Sequence, residues 1–197
     1  MNDSYLTPGL VKRRLEFLRK KMGAINVVCG IGPVPSNIMF IGEAPGQEED
    51  EQDMPFVGRS GDLLNVLLKE ADINRSQAYV TNTVKCRPTL GKKNRPPTDY
   101  EINSCKLELW NEIKFVRPKI IVTLGLVPTR LLLHLEKKER LQKYVGKCLI
   151  MWEYTPRIAI MPLWHPSFLL RSKQEFTNRA IQYLKEVKIY ADTKDNP

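Results

Sequence analysis

"IMFIGEAPGQEEDEQDMPFVGRSG", residues 38–61, is the stretch that decides the fold. Ile38-Met39-Phe40-Ile41 is apolar at every position, the pattern of a short strand covered on both faces. It stops at Gly42, presents one carboxylate at Glu43 and turns through Ala44-Pro45-Gly46. Gly and Pro straight after a buried strand mark a backbone that bends tightly or closely approaches something else, such as a ligand. The acidic run from Glu48 to Asp53 is expected at the surface. Ser60-Gly61-Asp62 then opens a helix carrying Leu63, Leu64, Val66, Leu67 and Leu68.

The same alternation continues outward in both directions. Upstream, Val11, Leu15, Leu18 and Met22 recur at helical spacing among Lys and Arg, which predicts an amphipathic helix over about 10–22. Downstream, Ala78-Tyr79-Val80-Thr81 reads as a strand. Thr98 with Glu101 three positions later is a capping box opening a helix that Pro118 stops. Lys119 to Gly125 contains a second fully apolar strand, 126–135 a helix, 145–154 an extended or hairpin segment, 158–162 a fourth core strand, and 174–190 a final amphipathic helix. Four apolar strands separated by helices imply one α/β domain over 1–197, its core at about 25–190. The expected architecture is a three-layer α/β/α fold around a four-stranded, mostly parallel sheet. Ligands bind beyond the carboxyl ends of such strands. Those ends carry Gly42-Glu43-Ala44-Pro45-Gly46, Asn82 to Arg87, Gly125, and Leu163-Trp164-His165-Pro166-Ser167.

The totals narrow the function classes. At 197 residues the chain has room for a sizeable core without disulfides or metal. A formal charge of +9 and a pI near 9.4 suit a polyanionic partner, with nucleic acid first and a merely solvated basic surface as the plain alternative. Neither an 18-residue apolar span nor a signal-peptide core occurs, so an intracellular protein, cytoplasmic or nucleoid-associated, is expected, with no membrane partner. The four cysteines, Cys29, Cys86, Cys105 and Cys148, form no CxxC pair. Five cations, Lys85, Arg87, Lys92, Lys93 and Arg95, fall within eleven residues around a glycine, a candidate phosphate-facing loop.

Taken singly, each strand-end residue has an ordinary structural role: Glu43 as a turn carboxylate, Phe56 as a core aromatic, Asn82 as a strand-end cap, His165 as a satisfied structural histidine. Together, "GEAPGQEEDEQDMPFVGRSGDLL", "YVTNTVKCRP", "RPKIIVTLG" and "LWHPSFLLR", in that order, closely resemble the uracil-DNA glycosylase superfamily, in particular its family 4, over roughly residues 25–171. The resemblance implies a monofunctional DNA glycosylase, a hydrolase of base-excision DNA repair that flips out a pyrimidine and leaves an abasic site. Glu43 and His165 would be catalytic, the first orienting water and favouring a cationic sugar, the second donating to the departing base. Gly42, Ala44, Gly46, Phe56 and Asn82 would surround the base. Ser167 and Arg171 would contact phosphate, and Leu169 would be the apolar wedge that fills the vacated stack.

Two departures from the family pattern, and one position shared with family 4, qualify what the resemblance implies. Members usually hold a 4Fe-4S cluster on four cysteines. Cys86 and Cys105 match two of them, but the segment that should bear the CxxC has none, so no cofactor is expected, although a cluster rescued by Cys29 stays open. The loop between Cys86 and Cys105 is longer than the family norm and contains no histidine, which disfavours a covalent trap for the base. The position of a tyrosine that excludes thymine elsewhere is Gly46, as in family 4, so a C5-modified pyrimidine, for example a modified cytosine of phage DNA, is an alternative substrate to uracil. A catalytically silent DNA-binding accessory protein is the alternative of another class. DNA, single- or double-stranded, is the expected partner of a monomer.

Overall fold

A computed structural model of the chain describes residues 16–17, 19–20, 26–151 and 157–193. Most of the helix expected at 10–22 lies outside the described residues, as do the last residues of the 145–154 segment.

The expected sheet forms, with one strand more than the sequence suggested. Strands β1 (Ile38–Gly42), β2 (Ala78–Asn82), β5 (Ile120–Leu124) and β7 (Ile158–Leu163) are parallel, in the order β2-β1-β5-β7. The fifth, β6 (Leu149–Met151), pairs antiparallel to β7 at the edge and arises from the segment read as extended or hairpin. It covers only Ile158 to Ile160, so Pro162, which has no N–H to donate, sits beyond its reach.

Alternate residues of these apolar strands feed two cores. Ile38, Phe40, Val122 and Met161 pack with α2 (Arg59–Glu70) and α6 (Gln174–Asp192), whose buried stripe is Ala180, Leu184, Val187 and Ala191. Met39, Ile41, Ile121 and Ile160 pack with α3 (Asp99–Val116) through Leu109, Ile113 and Val116, and with Leu132 of α4 (Leu126–Leu132). A strand apolar on both sides is therefore what the three layers require. The Thr98–Glu101 capping box forms as expected, and α3 ends at Val116, with Arg117 left-handed before Pro118.

Two further elements complete the frame of the cleft. Helix α1 (Gln47–Gln52) occupies the acidic run, and β3 (Thr89–Leu90) and β4 (Lys93–Asn94) make a small antiparallel hairpin. The parallel order reverses between β1 and β5, and a crevice opens beyond their carboxyl ends, as this topology dictates.

Candidate active site

At the end of β1, Gly42 is a floor on which two other side chains rest. A Cβ there would fall on the Asn82 amide oxygen and within 2.6 Å of Phe56 Cζ. Beyond it the strand pairing continues, since the Gly42 carbonyl accepts from both the N–H and the hydroxyl of Thr83, each at 2.9 Å, and the Glu43 carbonyl accepts from Val84 N–H at 3.0 Å. That pairing fixes Glu43 at the mouth of the crevice, half-buried, where loss of water raises its carboxyl above the ordinary range.

The Phe56 wall is held by a carboxylate that the sequence reading assigned to the surface. Glu49 is buried within α1, which corrects that reading: its Oε2 accepts from Gly46 N–H at 3.0 Å, and its Oε1 from Val57 and Gly58 N–H at 3.2 and 3.0 Å. One side chain thus ties the turn after β1 to the loop carrying Phe56. Gly46 with Glu three positions later was the available signal, a helix-start pattern. Phe56 itself is left-handed at φ 57°, and a side chain at Gly61 would overlap its carbonyl. A bulky residue holds that conformation only where its surroundings impose it.

His165 caps α5 (Pro166–Leu169). Its Nδ1 accepts from Ser167 N–H at 3.1 Å and lies 2.8 Å from Ser167 Oγ. An Nδ1 that accepts leaves the proton of the neutral ring on Nε2, a tautomer assigned here from the hydrogen bonds. Burial pushes the His165 pKa down to about 4, against an opposing pull from the Glu49 carboxylate, so the ring is neutral at pH 7. Gly125, at φ 99°, makes way for it: a Cβ there would stand 3.3 Å from that of His165. The Phe56 and His165 rings are 6.2 Å apart and tilted by 35°.

A cleft of about 890 Å³ gathers Glu43, Ala44, Gly46, Phe56, Asn82, Arg95, His165, Ser167 and Arg171. That volume lies within the range of ligand-binding clefts. Asn94 and Gln142, which the sequence reading did not single out, also line it.

Two other expectations, for Lys85 and Leu169, are corrected, because both are buried. Lys85 does not face phosphate: it is 1% exposed, and its Nζ donates to Thr81 Oγ1, the Asn82 carbonyl and Glu112 Oε2 at 2.6, 2.7 and 2.6 Å. An ion pair behind the strand supports Asn82 from below. Arg87 and Arg95 are struts of the hairpin. Arg87 donates to Asn94 Oδ1 and the Lys92 carbonyl, while Arg95 donates to the Thr89 carbonyl and, two-pronged, to Glu101 at 2.7 and 2.8 Å. That pairing, with Thr98, holds the Glu101 carboxyl down at about 2. Lys92 and Lys93 stay exposed. Leu169 is no free wedge, because it is 4% exposed and packed in the core, whereas Phe168 and Leu170 are 38% and 43% exposed. Ser167 serves His165 before any phosphate.

The thiols do not fit a four-cysteine cluster. Cys86 and Cys105 are buried near one another, and burial together with the nearby Cys105 pushes the Cys86 thiol up to about 12. Cys29 is exposed, residues 10–22 carry no cysteine, and Cys148 lies elsewhere, near Glu186 and Tyr190. Among the described residues, no group of three or more His, Cys, Asp or Glu is placed to hold a metal ion. No described helix is long and apolar enough to cross a membrane.

Comparison with known proteins gives a consistent assignment. A family model, the uracil DNA glycosylase superfamily, matches residues 29–186. The chain is 39% identical over 157 residues to a type-4 uracil-DNA glycosylase of Thermotoga maritima, covering 79% of this chain and 78% of that one. It is 33% identical over 151 residues to the enzyme of the same name from Archaeoglobus fulgidus, covering 76% and 74%. Among solved structures, wild-type Pedobacter heparinus SMUG2 superposes with a TM-score of 0.50 at 13% identity, over 80% of this chain and 77% of that one, a likeness of fold.

Proposed function

The chain belongs to the uracil DNA glycosylase superfamily, and from that premise we propose that it hydrolyses the N-glycosidic bond of a flipped-out uracil in DNA, leaving an abasic site. One observation carries the reading furthest. His165 is fixed with Nε2–H as its free donor, in the same cleft as the half-buried carboxylate of Glu43.

In this reading the bond between N1 of the base and C1′ of the sugar lengthens, and its electron pair leaves with the base. The neutral imidazole donates from Nε2 to the base O2 as that oxygen gains charge, where a donor preset in a water-poor site is most effective. Glu43 faces the sugar as it becomes cationic and orients the water that adds to C1′, the water's proton passing to the carboxylate and then to solvent. Phe56 supplies a stacking wall, and Asn82, held from below by Lys85, reads the pairing edge. Leu170, 43% exposed, takes the wedge role expected of Leu169, while Phe168 packs on Trp164 and Phe176, and Arg171 meets a phosphate. All these side chains come from one chain, so a monomer suffices, acting inside the cell where its DNA is.

A C5-substituted pyrimidine is the second reading, favoured by the missing side chain at Gly46. Against it stand Glu49 Oε2 and Asn94 Nδ2, 2.6 and 3.6 Å from where a Cβ would be. The test is release of base from single strands and duplexes bearing uracil, thymine, 5-hydroxymethylcytosine or its glucosylated form, scored by alkaline cleavage of abasic sites. Uracil release that is lost in Glu43→Gln and His165→Ala is the expected result. Release from a C5-modified base alone would overturn the substrate, and no release at all would leave a DNA-binding role.

A further inference from the structure

The hairpin between Cys86 and Cys105 ends in a side chain with no structural employment. Leu90 is 78% exposed, more than any other large apolar side chain among the described residues. It pairs with Lys93 at the last rung of the hairpin, and Gly91, at φ 60°, starts the two-residue turn above it with nothing within 4 Å of where its Cβ would be. A glycine of positive φ at the first turn position suits the tight hairpin connection that strand twist favours. The tip is therefore a leucine in open solvent, beside the exposed ammonium groups of Lys92 and Lys93.

An isolated hairpin with two-residue strands is marginal on its own, and this one is braced. Arg87 bonds Asn94 Oδ1 at 2.7 Å and the Lys92 carbonyl at 3.2 Å, and the Arg95 backbone N–H bonds the Pro88 carbonyl at 3.2 Å. The Arg95 side chain bonds the Thr89 carbonyl at 3.1 Å and is anchored to Glu101 at the capped start of α3. Its base belongs to the cleft, since Pro88, Asn94, Arg95 and Pro96 line it together with Glu43, Phe56 and His165. Leu90 stands one strand step, about 3.3 Å, further out than the Thr89–Asn94 rung. Two cationic struts thus hold an apolar tip rigid at the rim of the site.

A lone exposed leucine is ordinary, but one held rigid between lysines at the rim of the cleft matches what a distorted duplex would receive. Apolar side chains that enter between base steps offset the cost of unstacking, and flanking lysines neutralise the phosphates that must come close. We propose that Leu90 is a second apolar finger, separate from the 166–171 turn, which inserts into the duplex around the extruded nucleotide and makes the enzyme competent on double-stranded DNA. Single strands, already unstacked, do not need it. The inference rests on the glycosylase reading and adds to it a residue specific for duplex substrate.

The experiment measures kcat/KM of the full chain and of Leu90→Ala on the same uracil-containing sequence, single-stranded and paired. With so exposed a side chain, melting temperatures should coincide. The ratio of duplex to single-strand kcat/KM should fall about tenfold in Leu90→Ala, and Leu90→Met should restore most of it. A ratio unchanged in Leu90→Ala would overturn the finger. A wild-type protein silent on both DNAs would count against the glycosylase reading instead. The finger would then be tested with 2-aminopurine beside the uracil: a fluorescence rise on binding that Leu90→Ala loses supports it, and an equal rise overturns it.

Discussion

The two walls of the cleft are built on opposite plans. On the strand side, charge is buried to hold backbone: Glu49 gathers three N–H groups of two loops, and Lys85 lies beneath Asn82 in contact with Glu112. On the hairpin side, the guanidinium groups of Arg87 and Arg95 brace an exposed loop whose outward cations are Lys92 and Lys93. The first plan fixes the backbone of two loops and a strand end through buried charge. The second stiffens a projection meant to meet something outside the protein.

The strongest way to break the contrast is at Glu49. In Glu49→Ala, three N–H groups, one in the turn after β1 and two in the loop carrying Phe56, lose their acceptor, each loss costing about 1–3 kcal/mol if water does not replace it. We expect a large fall in melting temperature and kcat/KM on uracil DNA down about a hundredfold as Phe56 leaves its left-handed conformation. Glu49→Gln, which keeps one acceptor oxygen, should recover part of both. Near-native turnover in Glu49→Ala would show that Phe56 is fixed by Gly61 and the core alone.

Next comes Lys85, where stability and DNA affinity should separate. Removing one partner of a buried pair costs about 3–5 kcal/mol, and Glu112 is only partly shielded, so Lys85→Met should lie near the lower end. Denaturant unfolding gives that value. The salt dependence of DNA binding should stay as in the wild type, since this ammonium never meets phosphate. A reduced salt slope in Lys85→Met would return the residue to the DNA interface.

Those two residues also mark the boundary of what the sequence could reveal. The four parallel strands, the capping box at Thr98 and the grouping of Glu43, Asn82 and His165 at strand ends follow from apolar runs and turn residues, which act locally. Lys85 and Glu49 do not, because a charge is identical on paper whether it faces water or a partner 27 residues away, as Glu112 is from Lys85. Leu169 illustrates the same difficulty. Within Phe168-Leu169-Leu170, helical phase selects the residue that turns inward, and a motif position carries no phase.

A moderate effect is expected with pH. His165 is pushed down to about 4, so its neutral form persists through the range where an ordinary histidine titrates, and kcat/KM should show no inflection near 6.5. The acid limb should instead report Glu43, whose carboxyl is raised by burial and must be ionised to face a cationic sugar. Stability carries the opposite signature. The folded pKa of His165 lies below its unfolded value of about 6.5, so its contribution is complete above that value and is lost as pH falls from there toward 4. His165→Asn should flatten that part of the stability profile, and an activity limb at 6.5 in the wild type would mean that the ring is wetter than its surroundings indicate.

The smallest effect belongs to the lysines of the tip. The ammonium groups of Lys92 and Lys93 stand in solvent, so Lys92→Ser with Lys93→Ser should leave the melting temperature within about a degree. Each phosphate that is no longer neutralised lowers the slope of log Kobs against log salt by about 0.9 on a duplex and about 0.7 on a single strand. The double variant should therefore reduce the duplex slope by up to about 1.8 and bind more weakly at low salt, with turnover of bound DNA unchanged. Because the strut arginines are untouched, the hairpin would still stand, and a slope equal to that of the wild type would show a tip that never approaches phosphate. Such a result, combined with a duplex-specific loss in Leu90→Ala, would leave an apolar finger that works without electrostatic guidance.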